Sequence, residues 1–321
     1  MGIRVLKGGM MTTVQDLGRT GYQSQGFSVS GVMDVRSFKI ANLLLDNPEN
    51  EAVLEFTLIG PTLEFTSETI ISITGGDFRP QINGKPAKMY TAIYMHRGDI
   101  LTFGGARTGT RGYIAFSSYL DVPVVMGSRS TNIKCQIGGY KGRKLEDEDY
   151  IAFRAKRRYL PYYLSRSLDL DEFDQEKITL RVVMGPQEKM FTKEGRETFL
   201  NSEYTVTSEF DRMGCRLEGP FIAYKTTSDI ISDGIAFGSV QVPSHGKPII
   251  LLADRQTTGG YAKIATVVSV DIPKLVQRKT EQKVVRLPFK IFFCRKPDND
   301  ICPAFLSLHQ RKNSQTLNYA D

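Results

Sequence analysis

Residues 248–264 read PIILLADRQTTGGYAKI. The apolar run that begins at Ile249 stops at Asp254, Arg255 and Gln256. Thr257, Thr258, Gly259, Gly260 and Tyr261 follow, then Lys263, and a second apolar run extends from Ala265 to Val270. A buried strand thus delivers a charged, glycine-loosened loop before the chain turns back inside. A hairpin closes with about two to five turn residues, so folding alone does not require this loop. It reads as half of a ligand site.

Working outward, the loop has an echo. Arg255, four residues, then Gly260-Tyr261 repeats Arg107, four residues, then Gly112-Tyr113. Further pairs keep the same order. Leu54-Glu55 before Gly60-Pro61 matches Leu217-Glu218 before Gly219-Pro220. Glu68-Thr69-Ile70-Ile71-Ser72 matches Ser228-Asp229-Ile230-Ile231-Ser232. Asn83-Gly84-Lys85-Pro86 matches His245-Gly246-Lys247-Pro248, and Asp121-Val122-Pro123 matches Asp271-Ile272-Pro273. Matches in register argue for a duplicated unit, and two similar units meeting at an interface form a cleft.

The unit is β. Val53–Leu58, Leu63–Phe65, Ile70–Ile73, Ile100–Phe103 and Tyr113–Phe116 read as short strands punctuated by Gly-Pro, Gly-Gly-Asp, Asn-Gly and Arg-Gly-Asp turns, the pattern of a closed or nearly closed barrel. Residues 3–6 add a strand, 12–22 read as a polar loop around Gly18-Arg19, and 104–112 as a glycine-rich loop. A helix follows Ser30-Gly31-Val32-Met33-Asp34, capped by Asp34 or Ser30, with Phe38, Ile40, Ala41, Leu43, Leu44 and Leu45 as its buried face and Pro48 as its stop. Ser128, Arg129, Ser130 and Thr131, with Gly138-Gly139 and Gly142-Arg143, supply hydroxyls, amides and a cation suited to an oxyanion cradle or to an ordinary solvated loop. In the second half, Ile178–Met184 and the stretch through Leu217 read as strands, with a short helix around Phe191 and Phe199. These readings divide the chain into an N-terminal β domain (1–155), a linker (156–177), a C-terminal β domain (178–287) and an atypical tail (288–321).

The length of 321 residues suits two domains with their own cores. Hydrophobic residues at 40% and charged residues at 24% fit a soluble globular protein. No apolar run nears the roughly 18 residues of a membrane span. The N-terminus lacks a signal-peptide core, and Leu6 spoils a myristoylation signal, so the expected compartment is the cytoplasm. A net charge of +7 suits an anionic substrate or nucleotide. No nucleic-acid-binding motif is present. Cys135, Cys215, Cys294 and Cys302 show no CxxC spacing and read as free thiols.

The stretches TTVQDLGRTGYQ, SGVMD, LEFTLIGP, GSRST, GGYKGRKL, DRMGCRLEGP and LLADRQTTGGYAKIATV together resemble the biotin-dependent carboxyltransferase-like family (the allophanate hydrolase subunit 2 / KipA group). The resemblance covers about residues 3–287; the tail, PFKIFFCRKPDNDICPAFLSLHQRKNSQTLNYAD, departs from it. It implies a mainly β fold of two cyclophilin-like β-barrel domains with a few short helices. It also implies one of three roles. As in the C-type component of 5-oxoprolinase, the chain would act with a KipI-like B-type subunit and ATP, with Mg2+, to phosphorylate 5-oxoproline, which an A-type lactam-hydrolase subunit would open to glutamate. As in KipA, it would antagonise a kinase inhibitor. As in urea carboxylase, it would transfer a carboxyl group to a urea-like amide. No Met-Lys-Met segment for attached biotin and no P-loop are present, so a 5-oxoprolinase role is favoured and an ATP site would be unorthodox.

Anion chemistry needs cations and donors on developing charge. The candidate catalytic residues are therefore Asp34, Arg212, Asp254 and Arg255. The candidate substrate and anion binders are Arg19, Ser128, Arg129, Ser130, Thr131, Gln256, Thr257, Thr258, Gly259, Gly260 and Lys263. Asp34, Asp211 and Asp254 could hold a metal or orient substrate. Each has a plainer reading: Asp34 as a helix cap, Arg255 as a partner of Asp254, and Glu55 and Glu218 as buried structural acids. His245 falls at an exposed hairpin turn.

Overall fold

The computed structural model describes residues 1–288 apart from 157–158, 170–172 and 174. Met1–Pro288 form one compact unit. The tail expected from Pro288 onward lies outside the described residues beyond Pro288, and Cys294 and Cys302 lie there too.

The first half comprises β1 (Gly2–Lys7), β2 (Met11–Gln15), α1 (Val35–Leu44), β3 (Val53–Thr57), β4 (Thr62–Phe65), β5 (Thr69–Asp77), β6 (Gln81–Ile82), β7 (Lys85–Pro86), β8 (Ala92–Met95), β9 (Ile100–Thr102), β10 (Thr108–Phe116) and β11 (Tyr150–Ala152). They build two sheets, ordered β11-β1-β4-β9-β6-β7 and β2-β3-β10-β5-β8. Alternation explains what lies between them. Leu54, Phe56, Ile71, Ile73, Ile114 and Phe116 face a core shared with Ile3, Val5, Leu63 and Phe65. The other face of the five-stranded sheet presents Val53, Ile70, Tyr113 and Ala115 to Phe38, Ala41 and Leu45 around α1. Both faces of β3, β5 and β10 are thus buried.

The second half comprises β12 (Lys177–Met184), α2 (Lys193–Asn201), β13 (Tyr204–Phe210), β14 (Gly214–Glu218), β15 (Asp229–Gly234), β16 (Ser239–Gln241), β17 (Ile249–Leu251), β18 (Thr258–Tyr261), β19 (Lys263–Val267), α3 (Ile272–Val276) and β20 (Lys283–Pro288). Seven of these strands close a barrel in the order β12-β19-β16-β17-β14-β13-β20, sealed by parallel pairing of β20 with β12. Its core is Val182, Leu217, Val240, Ile250, Ile264 and their neighbours, and Met33 from the first half belongs to it. The mainly β architecture read from the sequence is thereby present, with a closed barrel in the second half and two facing sheets in the first.

Several local readings are corrected. Thr12–Gln15 lies in strand β2, not in a loop: it pairs with β3, and inside the fold Gln15 Nε2 donates to Thr13 Oγ1 (3.0 Å) and to the Thr131 carbonyl (3.2 Å). The strand ending at Ile73 continues to Asp77, and the loop assigned to 104–112 is already β10 from Thr108. Glycine permits close backbone approach there: a Cβ on Gly75 would lie 2.3 Å from the Arg111 carbonyl, and one on Gly112 would lie 2.2 Å from the Phe56 ring. The opening loop likewise shortens, since Thr258–Tyr261 is β18, paired with β15. Leu43, assigned to the buried face of α1, is 68% exposed because it lies away from the Phe38–Ala41–Leu45 stripe. Glu218 is exposed, unlike Glu55.

Two contacts fasten α3. Asp271 accepts from Arg181 Nε (2.8 Å), Nη2 (2.9 Å) and backbone N (2.9 Å), tying α3 to β12. Gln277, one residue beyond α3, reaches the first half. Its Oε1 accepts from the Thr110 and Arg111 amides (3.0 and 2.9 Å), and its Nε2 donates to Asp34 Oδ2 (2.9 Å) and the Arg111 carbonyl (3.1 Å). These backbone groups are free because the register of β10 against β5 shifts between Thr108 and Gly112.

Burial opposes ionisation of Asp271, but hydrogen bonds from Arg181 and Lys274 win and hold its carboxyl down at about 2. A carboxyl lowered on folding stabilises above its unfolded pKa and loses that contribution as pH falls through the folded value. Asp271→Asn should therefore cost about 1–3 kcal/mol near neutrality. It should also remove part of the stability loss between about pH 4 and pH 2, as read from urea unfolding across that range.

Candidate functional site

Period-two alternation places Glu55 on β3 and Tyr113 on β10 on the same buried face, directly opposite each other in the ladder. Glu55 Oε2 accepts from Tyr113 Oη (2.9 Å) and from the Met33 amide (2.8 Å), while Tyr113 Oη accepts from the Asp34 amide (2.8 Å). Arg212, in the turn before β14, completes the cluster. It donates through Nη1 to Glu55 Oε1, through Nε to Asp254 Oδ2 (2.8 Å) and through Nη2 to the Gly31 carbonyl (2.6 Å). Burial disfavours the Arg212 cation, but Asp254 and Glu55 outweigh it and hold its pKa above the ordinary value. Burial, reinforced by the Glu55 charge, pushes the Tyr113 hydroxyl well up, so it stays protonated and donating.

Asp34 is sealed from solvent, and burial raises its pKa. It caps α1, accepting from the Ser37 amide (2.9 Å) and hydroxyl (2.7 Å) besides Gln277. Its plainer reading as a helix cap is the role its contacts describe.

The Ser128–Thr131 segment turns its hydroxyls inward. Asp16 Oδ1 accepts from Ser128 Oγ (2.6 Å), Ser130 Oγ (2.6 Å) and the Gly18 amide (2.8 Å), and Asp16 Oδ2 accepts from the Arg129 amide (2.6 Å). Thr131 Oγ1 donates to the Val14 carbonyl (2.9 Å). The cradle expected for an outside anion is filled by the chain's own Asp16. This leaves Arg19 in an unusual position. Its guanidinium is fully buried and donates through Nη2 to the Ser130 carbonyl, while Nε and Nη1 have no partner. Burial lowers its pKa, offset by the charges of Asp16 and Asp254. A buried cation without a bonded counter-charge costs several kcal/mol unless something else partners it, and Nε–H and Nη1–H, which point to different edges of the guanidinium, are donors left without acceptors.

The N-terminal loop carrying Arg19 lies against the opening loop. Ser30 donates its amide to the Ala253 carbonyl (3.2 Å), and Ser28 its hydroxyl to the Arg255 carbonyl (2.7 Å). Arg255 does not pair with Asp254, whose hydrogen bonds come from Arg212. Its guanidinium is buried over Phe237 and donates to the carbonyls of Ile235 (3.0 Å) and Leu252 (3.2 Å). Lys263 is also buried, held by Asp233 (2.7 Å) and the Gly234 carbonyl (3.1 Å). Gln256, Gly259 and Gly260 do line open space: a cleft of about 510 Å³ bounded also by Asp211, Arg216, Gln241 and Tyr261. Gly259 fits because a Cβ would meet Ile235 at 2.7 Å and Gln241 at 2.8 Å. Thr257 and Thr258 flank it, with the Thr257 carbonyl accepting from the Ile235 amide (3.0 Å).

The carboxylates considered for a metal are engaged elsewhere: Asp34 in its cap, Asp254 on Arg212, and Asp211 accepting the Met213 and Gly214 amides (2.8 and 3.0 Å). Among the described residues, no three His, Cys, Asp or Glu side chains group as a metal site. This donor set does not fit a resident magnesium ion. The sequence reading left Tyr113, Gln277 and Asp16 out of the site. Only the Gln15-Asp16 pair before Gly18 carried a visible signal, because the other two act through partners distant in the chain.

Residues 25–286 match the carboxyltransferase domain, subdomains A and B, and the chain belongs to that family. It is 34% identical to the C-type component of 5-oxoprolinase from Escherichia coli, over 86% of this chain and 87% of that protein. It is 34% identical to the Haemophilus influenzae protein of the same name, over 83% and 84%. The crystal structure of K. lactis urea amidolyase superposes with a TM-score of 0.83 at 29% identity, covering 90% of this chain but 19% of that one.

The two buried arginines should respond in opposite ways. Arg212→Met strands Glu55 and Asp254 and should cost about 3–5 kcal/mol. Arg19→Met removes a cation without a bonded carboxylate and should change stability by no more than about 1 kcal/mol, or raise it. Urea denaturation of both variants checks the contrast; equal large losses would show that Arg19 is an ordinary structural cation.

Proposed function

We propose that this carboxyltransferase-family chain is the C-type component of an ATP-dependent 5-oxoprolinase, incomplete as a catalyst by itself. One observation carries the reading: the match to the 5-oxoprolinase C-type component runs along most of both partners, at 34% identity in two bacteria. With a KipI-like B-type subunit it would activate the lactam oxygen of 5-oxoproline by phosphorylation from ATP. An A-type lactam-hydrolase subunit would then open the ring to glutamate. No helix among the described residues is long and apolar enough to cross a membrane, and the proposed place of action is the cytoplasm.

The chemistry suits this substrate. 5-Oxoproline carries a carboxylate and an amide. Arg19, a buried cation that keeps two nitrogens without acceptors, is the candidate counter-charge for the carboxylate. Entry requires the cover over Arg19 to move, and the exposed segment just after it holds itself locally, with Gln25 and Gly26 amides donating to the Tyr22 and Gln23 carbonyls (3.0 and 2.9 Å). Amide donors at Gln256 and along Gly259-Gly260 suit the lactam oxygen in the cleft. Since the carboxylates here are engaged, we assign the magnesium ion that accompanies ATP to the assembled complex rather than to this chain.

A second reading has its own observation. The likeness to urea amidolyase extends across 90% of the chain, and a carboxyl-transfer component acting on a urea-like amide would also need a site for an anion and an amide. A KipA-like regulatory role would instead need only the partner surface.

Reconstitution with the A-type and B-type subunits should release glutamate from 5-oxoproline in proportion to ATP consumed. Arg19→Met should lower kcat/KM by about two orders of magnitude, the loss of roughly 3 kcal/mol of charge-assisted binding. No turnover with verified partners overturns the proposal, and dependence on bicarbonate and carboxybiotin would establish the second reading in its place.

A further inference from the structure

The cleft beside the opening loop is bounded by the wall of the closed barrel on one side and by β18 of the two-stranded β15–β18 sheet on the other. On the wall, alternation separates two rows of side chains. Val240, Ile250 and Cys215 pair across β16, β17 and β14 and belong to the barrel core. Their chain neighbours Gln241, Ile249 and Arg216 pair as the next row and line the cleft. Gly259 and Tyr261 of β18 line it from the other side, and a Cβ on Gly259 would lie 2.8 Å from Gln241 Nε2.

Gln241 is a buried carboxamide with an acceptor left over. It is 6% exposed. Its Nε2 donates to the Tyr261 carbonyl (3.3 Å). That partner fixes which end of the carboxamide is nitrogen, because a carbonyl pairs only with a donor. Oε1 accepts no hydrogen bond from the described residues, and it is not sealed from the open space that the residue lines. A carbonyl oxygen held in place beside a cleft calls for a donor from whatever enters. The charges of the cleft narrow the choice. Among the described residues, Arg216 is the only cation lining it, and Arg216 is bonded to Glu209, while Asp211 adds a second carboxylate. Ile249 and Leu251 make an apolar floor. These surroundings favour a neutral N–H over a carboxylate.

A lactam ring locks its N–H and C=O side by side on one edge. We propose that Gln241 determines specificity by reading the N–H of the substrate amide: Oε1 accepts that N–H, while the donors at Gln256 and along Gly259-Gly260 face the C=O. The proposal rests on the 5-oxoprolinase reading for the identity of the ligand, and it adds the residue that separates an amide from an ester. An ester of the same shape sets a ring oxygen against Oε1 and leaves the acceptor unpaired.

The probes are 5-oxoproline, urea, and 5-oxotetrahydrofuran-2-carboxylate, the lactone in which a ring oxygen replaces the N–H. Binding to the isolated full chain is titrated by saturation-transfer NMR, and glutamate release is measured in the reconstituted complex. The wild type should bind the lactam at least about tenfold more tightly than the lactone. Gln241→Leu should bring the two within about twofold, and should bind the lactone at least as well as the wild type does, a result that a damaged fold would not give. Gly259→Ala, whose Cβ displaces the carboxamide while leaving Gln241 in the chain, should also narrow the preference. Thermal unfolding run in parallel shows that both variants are folded. The proposal is overturned if the wild type binds none of the probes, if it binds lactam and lactone equally, or if Gln241→Leu keeps the preference; glutamate release by the complex would leave the 5-oxoprolinase reading standing in each case. Conversely, a lactam or urea affinity that Gln241→Leu abolishes, in a complex that releases no glutamate, would uphold Gln241 as the amide reader and overturn the 5-oxoprolinase reading.

Discussion

One guanidinium joins the two halves of this molecule. Arg212 comes from the turn before β14, yet its bonds go to Glu55 on β3, to the Gly31 carbonyl before α1 and to Asp254 after the β17 strand. Its side chain is 11% exposed and that of Glu55 2%. Two carboxylates and a carbonyl around one cation offset the desolvation that an unpaired charge there would impose. The geometry is demanding, because Glu55 must also serve Tyr113 and the Met33 amide. The cluster therefore sets where the N-terminal loop, the α1 entry and the opening loop stand relative to one another.

Gln277 extends the same constraint from the other side. A single carboxamide uses its oxygen for two amides of β10 and its nitrogen for the Arg111 carbonyl and Asp34. The three backbone groups lie where the β10 register shifts against β5. Left unmade, each such buried bond would cost about 1–3 kcal/mol. The bulge looks like a flaw within its own sheet, but across the molecule it is the socket for α3. Met33, which packs in the barrel core although it belongs to the first half, follows the same logic. Three hydrophobic clusters and the polar contacts of Arg212 and Gln277 between them give a single compact unit from Met1 to Pro288.

Much of this was legible in the sequence, and the remainder failed for identifiable reasons. Alternating apolar residues located most strands, and Asp34 announced the start of α1, because both signals are local. Thr12–Gln15 misled because strands buried among polar partners carry no apolar alternation. The glycines at 75, 76, 109 and 112 suggested loops, although in a doubly packed sheet they mark where backbones and rings press closest. Glu55 was readable as a buried acid, but its partnership with Tyr113 and Arg212 spans 58 and 157 residues. Arg255 and Lys263 drew attention as charges beside a loop, and a single sequence does not tell whether such a charge faces the ligand or the protein. The structure turns both inward.

That distinction sorts the buried cations better than position does. Arg212 and Lys263 each have a carboxylate within hydrogen-bonding distance, so their charge is already committed to holding the fold. Arg19, Arg111 and Arg278 are as deeply buried, yet their hydrogen bonds go to carbonyls and a hydroxyl, and two of them keep nitrogens without any partner. Stability alone gives no reason to retain such a residue, since a well-packed apolar side chain would serve as well or better. A full positive charge kept out of water and out of an ion pair is an electrostatic preorganisation toward something anionic. Among the described residues, buried arginines without a bonded carboxylate stand under the N-terminal loop (Arg19), in the opening loop (Arg255) and beside α3 (Arg111 and Arg278), so the charges not committed to ion pairs gather where the two halves meet the opening loop and α3.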